Sequence, residues 1–560
     1  MFKSQEVNNK DLTHLLLSIA AISTLSALDV HGFKIAWLAF FVALVISGAL
    51  AFFIVYKLIC IPMQEGKIFQ SIPNGVVLFI FSVVLIRLST SGFDEDDEIY
   101  SWNMWAIQHF MGKPADFKFT GSPYPQLFSY WIAGMYQAMN GYVNQAIPRA
   151  FLSLSTLLMA TCLVAVLPAR SWKSSFFSAT VIFLVLAPVI AWMARGLADP
   201  LMAAAMLISA FSLYRYYQEP TCLTHLVYGL ISAVIASLTK QAGIFWICIS
   251  VPVIMIWGVY KWNLPRVGLL YCIVAVVISL IWPLFISPTF INNQGVISAS
   301  IEGRSVIQQL WFSVDEYIFK RPYFVALYIF LLYSIFINRF IRLIFFVAIL
   351  PMLILWFQFG AYSLRLGIHV IGLTGLLVII GFSDAFDDKI NKSSLSIARA
   401  RLHFFAMILS LFLIITLYAS VLKISDVTKI DLRDGAKNTI RTQWGAEALP
   451  IFEVIMQKNY PIWVVSNYAY GALYGRVDLR EPSRLYENLE MNALREDLLS
   501  SGARYVIYSE LIPNPPITDM LKSLVIHCPD GFNLLLGPGN QKNFMLYEIN
   551  RNQLAMELCN

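Results

Sequence analysis

The stretch "GFDEDDEIYSWNMWAIQHF", residues 92–110, sets Asp94, Glu95, Asp96, Asp97 and Glu98 side by side directly after an apolar run near 74–90 that reads as a membrane span. The acids are followed by Tyr100, Trp102, Asn103 and Trp105 and not by the Ser, Gly and Lys of a disordered tail. Read as a helix, residues 94–110 place Asp94, Asp97 and Glu98 on one face. Ile99, Trp102, Ala106 and Phe110 then form an apolar stripe, as in an interfacial helix lying on the membrane with its acids toward a cavity. Five crowded carboxylates do not ionise together without a counter-charge. Either one pKa rises, which suits a general base, or a divalent metal ion takes Asp94, Asp97 and Glu98 as oxygen ligands. The bland alternative is a solvated acidic loop.

The rest of the chain fits a membrane setting. Of 560 residues, 58% are apolar, 14% aromatic and only 13% charged, the composition of a polytopic α-helical membrane protein. The net charge of +6 is scattered, forms no stripe, and reads as anchoring charge on cytoplasmic loops, so nothing argues for a nucleic-acid partner. The seven cysteines (60, 162, 222, 248, 272, 528 and 559) show no metal-ligand spacing, and only Cys528 and Cys559 are candidates for a disulfide. The apolar run after Lys10 is followed at once by another span and reads as a signal anchor.

With about 20 apolar residues per span, about 13 candidates lie near 12–28, 33–57, 74–90, 146–167, 175–193, 199–216, 224–239, 242–260, 267–287, 323–337, 341–359, 366–382 and 403–422. With the N-terminus inside, each inner loop carries a Lys or Arg, for example Lys57 and Lys67, Arg215, and Arg339 and Arg342. The outer side then holds the acidic loop 91–145, "ARGLADP", "LTKQA", a loop near 288–322, "GAYSLR" and everything after about 423. Arg149, Arg195, Lys240 and Arg365 break the positive-inside bias on this same outer side. Charges at such depth are functional candidates, against the plainer reading of side chains snorkelling to headgroups.

From about 423 charges, Asn and Pro return. "YPIWVVSNYAYGALY" and "ARYVIYSEL" read as buried strands, and "SRLYENLEMNALREDLLSSG" as a helix closed by Gly502, which predicts a small extracytoplasmic α/β domain. It carries no Gly-rich phosphate loop, metal-spaced His or Cys set, or Ser-His-Asp pattern. "GPGN" at 537–540 is a turn signal.

Four ordered pieces resemble membrane glycosyltransferases of the GT-C fold, in the branch with protein O-mannosyltransferases and the bacterial lipid A aminoarabinose transferases. "DDEIYSWNMWAIQHFMG" resembles the Asp-Glu-x-x-Tyr motif of the first extracytoplasmic loop, with Tyr100 one place early. "SPYPQLFSYWIAGMYQAMNGYVNQAIPRAFLSLSTL" resembles its prolines and aromatics, Gly turn and span-opening Arg. "ARGLADPLMAAAMLISAFSLYRYY" is similar to the segment with an Asp at a helix start, and "GLISAVIASLTKQAGIFWI" to the Gly-rich span ending in Thr-Lys. The match covers roughly 75–260 and, weakly, the spans to about 382. Residues 1–73 are then an N-terminal addition, 74–422 the transmembrane catalytic module and 423–560 the outer α/β domain.

The resemblance implies transfer of a sugar from a polyprenyl-phosphate-linked donor to a lipid, glycan or protein acceptor on the extracytoplasmic face of a bacterial inner membrane, usually with inversion. It places Asp97 as the catalytic carboxylate with Glu98 beside it, and Asp94 and Asp96 as alternatives if the register slips. Asp199 matches the second, loop-borne Asp of the catalytic site, which helps position the acceptor or the base, and Lys240 the Thr-Lys lysine. Arg149, Arg195 and Arg365 join Lys240 by topology as phosphate-binding cations, and Tyr100 and Tyr124 line the substrate loop. One departure stands out. Aminoarabinose transferases carry a Lys before the paired prolines of this loop, where this chain has Tyr124 before "PQLF". The rival readings are a lipid or glycan flippase without transfer chemistry and an assembly protein acting through its C-terminal domain; the acids lie in an outer loop and the chain shows no repeated halves.

Overall fold

The computed structural model describes residues 8–64, 98–115, 124–141, 145, 148, 151–152, 154–166, 172–186, 188–193, 197–286, 305–360, 363–386, 448–458, 460–464, 479–480, 491–509, 515–537 and 544–556. The expected spans 74–90 and 403–422 lie outside these residues. The others fall on apolar helices, among them Asn9–Val30, Trp37–Gln64, Ala198–Gln218, Leu223–Thr239 and Val267–Ile286. Among the described residues, five helices are long and apolar enough to cross a membrane. Trp37–Gln64 shows why water is not their solvent. Phe52 and Val45 are 73% and 53% exposed on a helix that is apolar all round, a surface that lipid covers at no cost.

The first helix starts where its sequence dictates. Asn8 accepts a hydrogen bond from the Asp11 N–H while the Asp11 carboxylate accepts from the Asn8 N–H, a reciprocal cap. Leu12, Leu15, Leu16, Ile19 and Ile22 then form one buried stripe. The second helix is tied to it by Lys57 to Asp11 at 2.9 Å and by Ser47 donating to Ser18 at 2.9 Å.

Inside loop 91–145 the structure corrects the expectation of a helix lying on the bilayer surface. A π-helical turn, Glu98–Asn103, runs into helix Met104–Phe110, and every residue from Ser101 to His109 is buried within the protein. The cause is helix Leu127–Met139, which forms from the proline-aromatic segment and packs against both Met104–Phe110 and Asn9–Val30. It approaches the first helix so closely that a Cβ on Gly134 would overlap Ile22. It ends at Asn140 in the left-handed conformation (φ 53°), where the Gly turn was expected.

Beyond residue 447 a five-stranded mixed sheet forms from β1 (Ile462–Val464), β2 (Leu479–Arg480), β3 (Tyr505–Ser509), β4 (Phe532–Leu536) and β5 (Phe544–Ile549), in the order β2-β1-β3-β5-β4. β1 runs parallel to β2 and β3, while β5 is antiparallel to β3 and β4. Period-two alternation sends Trp463, Val506, Tyr508, Met545 and Tyr547 to one core with Leu494, Leu498, Leu521 and Leu524, and Ile462, Val464, Ile507 and Leu546 to the other. Helix Met491–Ser500 is closed by Gly502 at φ +69°, as its sequence predicts. Cys528 is disulfide-bonded; its expected partner, Cys559, lies outside the described residues.

Candidate active site

Three helix ends meet around one buried ion pair. Asp199 is the second residue of helix Ala198–Gln218, where the exposed N–H groups and the helix dipole favour a negative charge. Lys240 lies in a break. Helix Leu223–Thr239 stops, Lys240 adopts an extended backbone (φ −160°, ψ 160°), and helix Gln241–Phe245 begins at once. The break is held by Lys240 N–H donating to Ala236 and Gly243 N–H donating to Lys240. Gly243 is what permits it, since a Cβ there would overlap the backbone of Ala236. The result points Lys240 Nζ at Asp199 Oδ1, 2.5 Å away, with the two side chains only 13% and 3% exposed.

The third end belongs to the 3₁₀ turn Leu364–Gly367, which runs into helix Ile368–Phe386. It carries the half-buried Arg365, whose guanidinium sits 6.0 Å from the Trp192 ring centroid. The turn is fixed from below by Trp356. Its indole packs where a Cβ on Gly367 would stand, and its N–H donates to the Ser363 carbonyl at 3.3 Å. One turn further on, His369 is 6% exposed and close enough to Asp199 and Lys240 for both charges to act on its ring. Among the described residues, neither Asp199 Oδ2 nor His369 Nδ1 has a hydrogen-bond partner.

The aromatic loop forms a second feature. Tyr124 packs edge-on to Trp102 at 5.7 Å and against Trp105 at 6.0 Å, and Trp102 also meets Phe128. Below this cluster Tyr136 donates to Asn103 Oδ1 at 2.5 Å. His109 stacks on Tyr130 at 4.0 Å, with its Nε2 3.2 Å from Gln126 Oε1 and its Nδ1 3.2 Å from the Lys113 carbonyl. Burial there pushes the His109 pKa down from 6.5 to about 4.

The structure therefore brings together Asp199 and Lys240 and places Arg365 and Tyr124. Asp94, Asp96, Asp97, Arg149 and Arg195 lie outside the described residues, as do the side chains of Glu98 and Tyr100. Among the described residues no group of three His, Cys, Asp or Glu side chains is placed to hold a metal ion. Sequence reasoning missed His369. A histidine inside the apolar span "LRLGIHVIGLTGLL", four residues after Arg365, carried the signal in its depth and its spacing.

No protein-family model matches the sequence, and no curated protein matches it. The fold is similar to that of ArnT from Cupriavidus metallidurans bound to undecaprenyl phosphate, with 14% identity and a TM-score of 0.51 over 85% of this chain and 98% of that one. The apo state of the same protein gives 13% identity and a TM-score of 0.47 over 86% and 98%. The undecaprenyl-phosphate-bound structure carries the comparison: this chain is an integral membrane protein with the GT-C fold.

Proposed function

We propose that the chain is an integral-membrane glycosyltransferase, a hexosyl- or pentosyltransferase of the bacterial inner membrane. It moves a sugar from a polyprenyl-phosphate donor to a lipid, glycan or protein acceptor on the extracytoplasmic face. The observation that carries this reading is the buried Asp199–Lys240 pair with His369 near it, in a fold shared with a protein whose solved form holds undecaprenyl phosphate. A flippase has less use for a fixed ion pair of this kind than an enzyme that must hold a phosphate leaving group in register.

In the proposed reaction the acceptor hydroxyl attacks the anomeric carbon, the carbon–oxygen bond to phosphate breaks, and the polyprenyl phosphate departs with that electron pair. Asp97, with Glu98 beside it and Asp94 and Asp96 as the alternatives, takes the hydroxyl proton. Lys240 has three N–H donors and gives one to Asp199, so the others serve the phosphate. Arg365, with Arg149 and Arg195, adds the charge that stabilises the leaving group. Tyr124, in its aromatic cluster, and Tyr100 line the approach.

The same reading makes 1–73 an N-terminal addition, 74–422 the catalytic module and 423–560 an outer domain, with the N-terminus cytoplasmic. The bonded Cys528 supports an outer position for its domain, because disulfides persist outside the reducing cytoplasm.

The test is release of polyprenyl phosphate from a labelled lipid-linked sugar by purified Asp97→Asn, Glu98→Gln, Asp94→Asn and Asp96→Asn variants. At least one should lose turnover by a factor of about 100 or more. Unimpaired turnover in all of them sinks the base assignment, and lipid transport without transfer favours the flippase. A chelator arm in the same assay tests the use of Asp94, Asp97 and Glu98 as metal ligands.

A further inference from the structure

Two buried atoms close to the ion pair have no hydrogen-bond partner among the described residues. Asp199 is 2% exposed and spends Oδ1 on Lys240, while Oδ2 has no partner among the described residues. His369 is 6% exposed, and its Nδ1 is equally unpartnered among them. Helix Ile368–Phe386, which carries the histidine, packs along helix Ala198–Gln218, which carries the aspartate. Each such orphan costs about 1–3 kcal/mol if nothing meets it, so a pair of them in one place marks where a ligand's polar groups belong.

The chemistry of the two atoms says which groups. A carboxylate oxygen only accepts, and a phosphate diester oxygen has no proton to give it; the two would repel. Asp199 Oδ2 therefore calls for an O–H or N–H donor. A neutral imidazole presents Nδ1 as an acceptor when its proton sits on Nε2, and as a donor in the other tautomer. Such a ring can share one hydroxyl with the carboxylate or take its neighbour on the same ring. Vicinal hydroxyls of a sugar have this pattern, and an undecorated lipid phosphate does not.

We infer that His369, together with Asp199 Oδ2, recognises the hydroxyl or amino groups of the donor's sugar, and that Lys240 links this subsite to the phosphate beside it. The assignment rests on the transferase reading above and adds the part of the donor that each group reads. His369 is thus a specificity residue, and phosphate affinity is left to the cations.

The experiment measures binding of two probes to the full-length protein in lipid micelles without acceptor: undecaprenyl phosphate alone, and undecaprenyl phosphate carrying a sugar. The sugar is chosen from glucose, galactose, mannose and 4-amino-4-deoxyarabinose by the tightest wild-type binding. His369→Phe keeps a flat ring and removes both nitrogens; His369→Asn restores a polar atom near the Nδ1 position. The expected result is a roughly tenfold loss for the sugar-charged lipid in His369→Phe, less than about twofold change for the bare lipid, and substantial recovery in His369→Asn.

Equal weakening of both lipids would overturn the inference in favour of a phosphate or packing role. An unchanged sugar preference in His369→Phe overturns it as well. Wild-type protein that binds bare and charged lipids alike, and transfers no sugar, overturns the transferase reading along with it. Wild-type preference that survives His369→Phe overturns this inference alone.

Discussion

Removing Lys240 should cost more than removing Asp199, and removing both should cost less than removing Lys240 alone. The centres are 2.5 Å apart, so at an effective dielectric constant of about 20 their gross attraction is about 7 kcal/mol. Desolvation of two charges offsets most of that, and the intact pair contributes little net stability. What is large is the cost of leaving one charge behind. In Lys240→Met the Asp199 carboxylate, 3% exposed at its side chain, is stranded with no flexible stem to carry it to water, which costs about 3–5 kcal/mol. In Asp199→Asn the amide oxygen still accepts from Lys240, and the 13% exposed lysine can shift outward, so the loss is about 1–3 kcal/mol. The double variant Asp199→Asn/Lys240→Met leaves no charge and should recover at least about 1 kcal/mol relative to Lys240→Met.

The assay is equilibrium unfolding of the purified protein in mixed micelles with rising SDS mole fraction, followed by far-ultraviolet circular dichroism. Additive losses in the double variant would refute the reasoning, since they mean that the two charges do not share an environment. So would the reverse order of the single variants. Activity is a separate readout. The double variant should remain inactive even where its stability returns, because the lysine that serves the phosphate is gone.

Three further outcomes follow from the geometry. Gly243→Ala forces a methyl group into the backbone of Ala236 and should cost about 1–3 kcal/mol while weakening donor binding through displacement of Lys240; Gly141→Ala, which meets open space, is the control and should change stability by less than about 0.5 kcal/mol. His109 binds its proton more weakly folded (about 4) than unfolded (6.5), so its stabilising contribution is complete above pH 6.5 and declines as pH falls toward 4. The gap corresponds to about 3 kcal/mol, and unfolding midpoints at pH 7, 5.5 and 4.5 should show a drop that His109→Gln removes. Cys528→Ser should destabilise the C-terminal sheet by about 2–5 kcal/mol, read as earlier protease cleavage of residues 448–556, with reductant reproducing the effect in the parent protein.

Much of this arrangement was legible in the sequence because single-residue chemistry decides it. Apolar runs of span length marked the membrane helices among the described residues, runs of strand length marked β1 and β3, and Gly502 closed its helix. Lys240 stood out as a cation where the charge pattern has no reason for one, while Asp199, an acid opening a helix, was marked by the family resemblance. What stayed hidden depended on a neighbour. Helix Leu127–Met139 contains prolines before it and tyrosines within it, and only its close approach to Ile22 at Gly134 shows that it belongs to the core. The same packing turns Trp102 and Ala106 of the expected stripe from a surface feature into an interior one, because a stripe in the sequence names an apolar face without naming what covers it.

His369 is the more instructive omission. By composition it is one histidine in a long apolar helix, and a buried histidine with its ring satisfied would mean little. Its weight comes from two things that sequence does not encode: its helix packs along the one that carries Asp199, and its Nδ1 is unsatisfied in the same region as Asp199 Oδ2. The ion pair accounts for one oxygen and one charge of the cluster. What it leaves is an acceptor, Asp199 Oδ2, beside the spare donors of Lys240, which is the pattern expected where a sugar and its phosphate are gripped side by side.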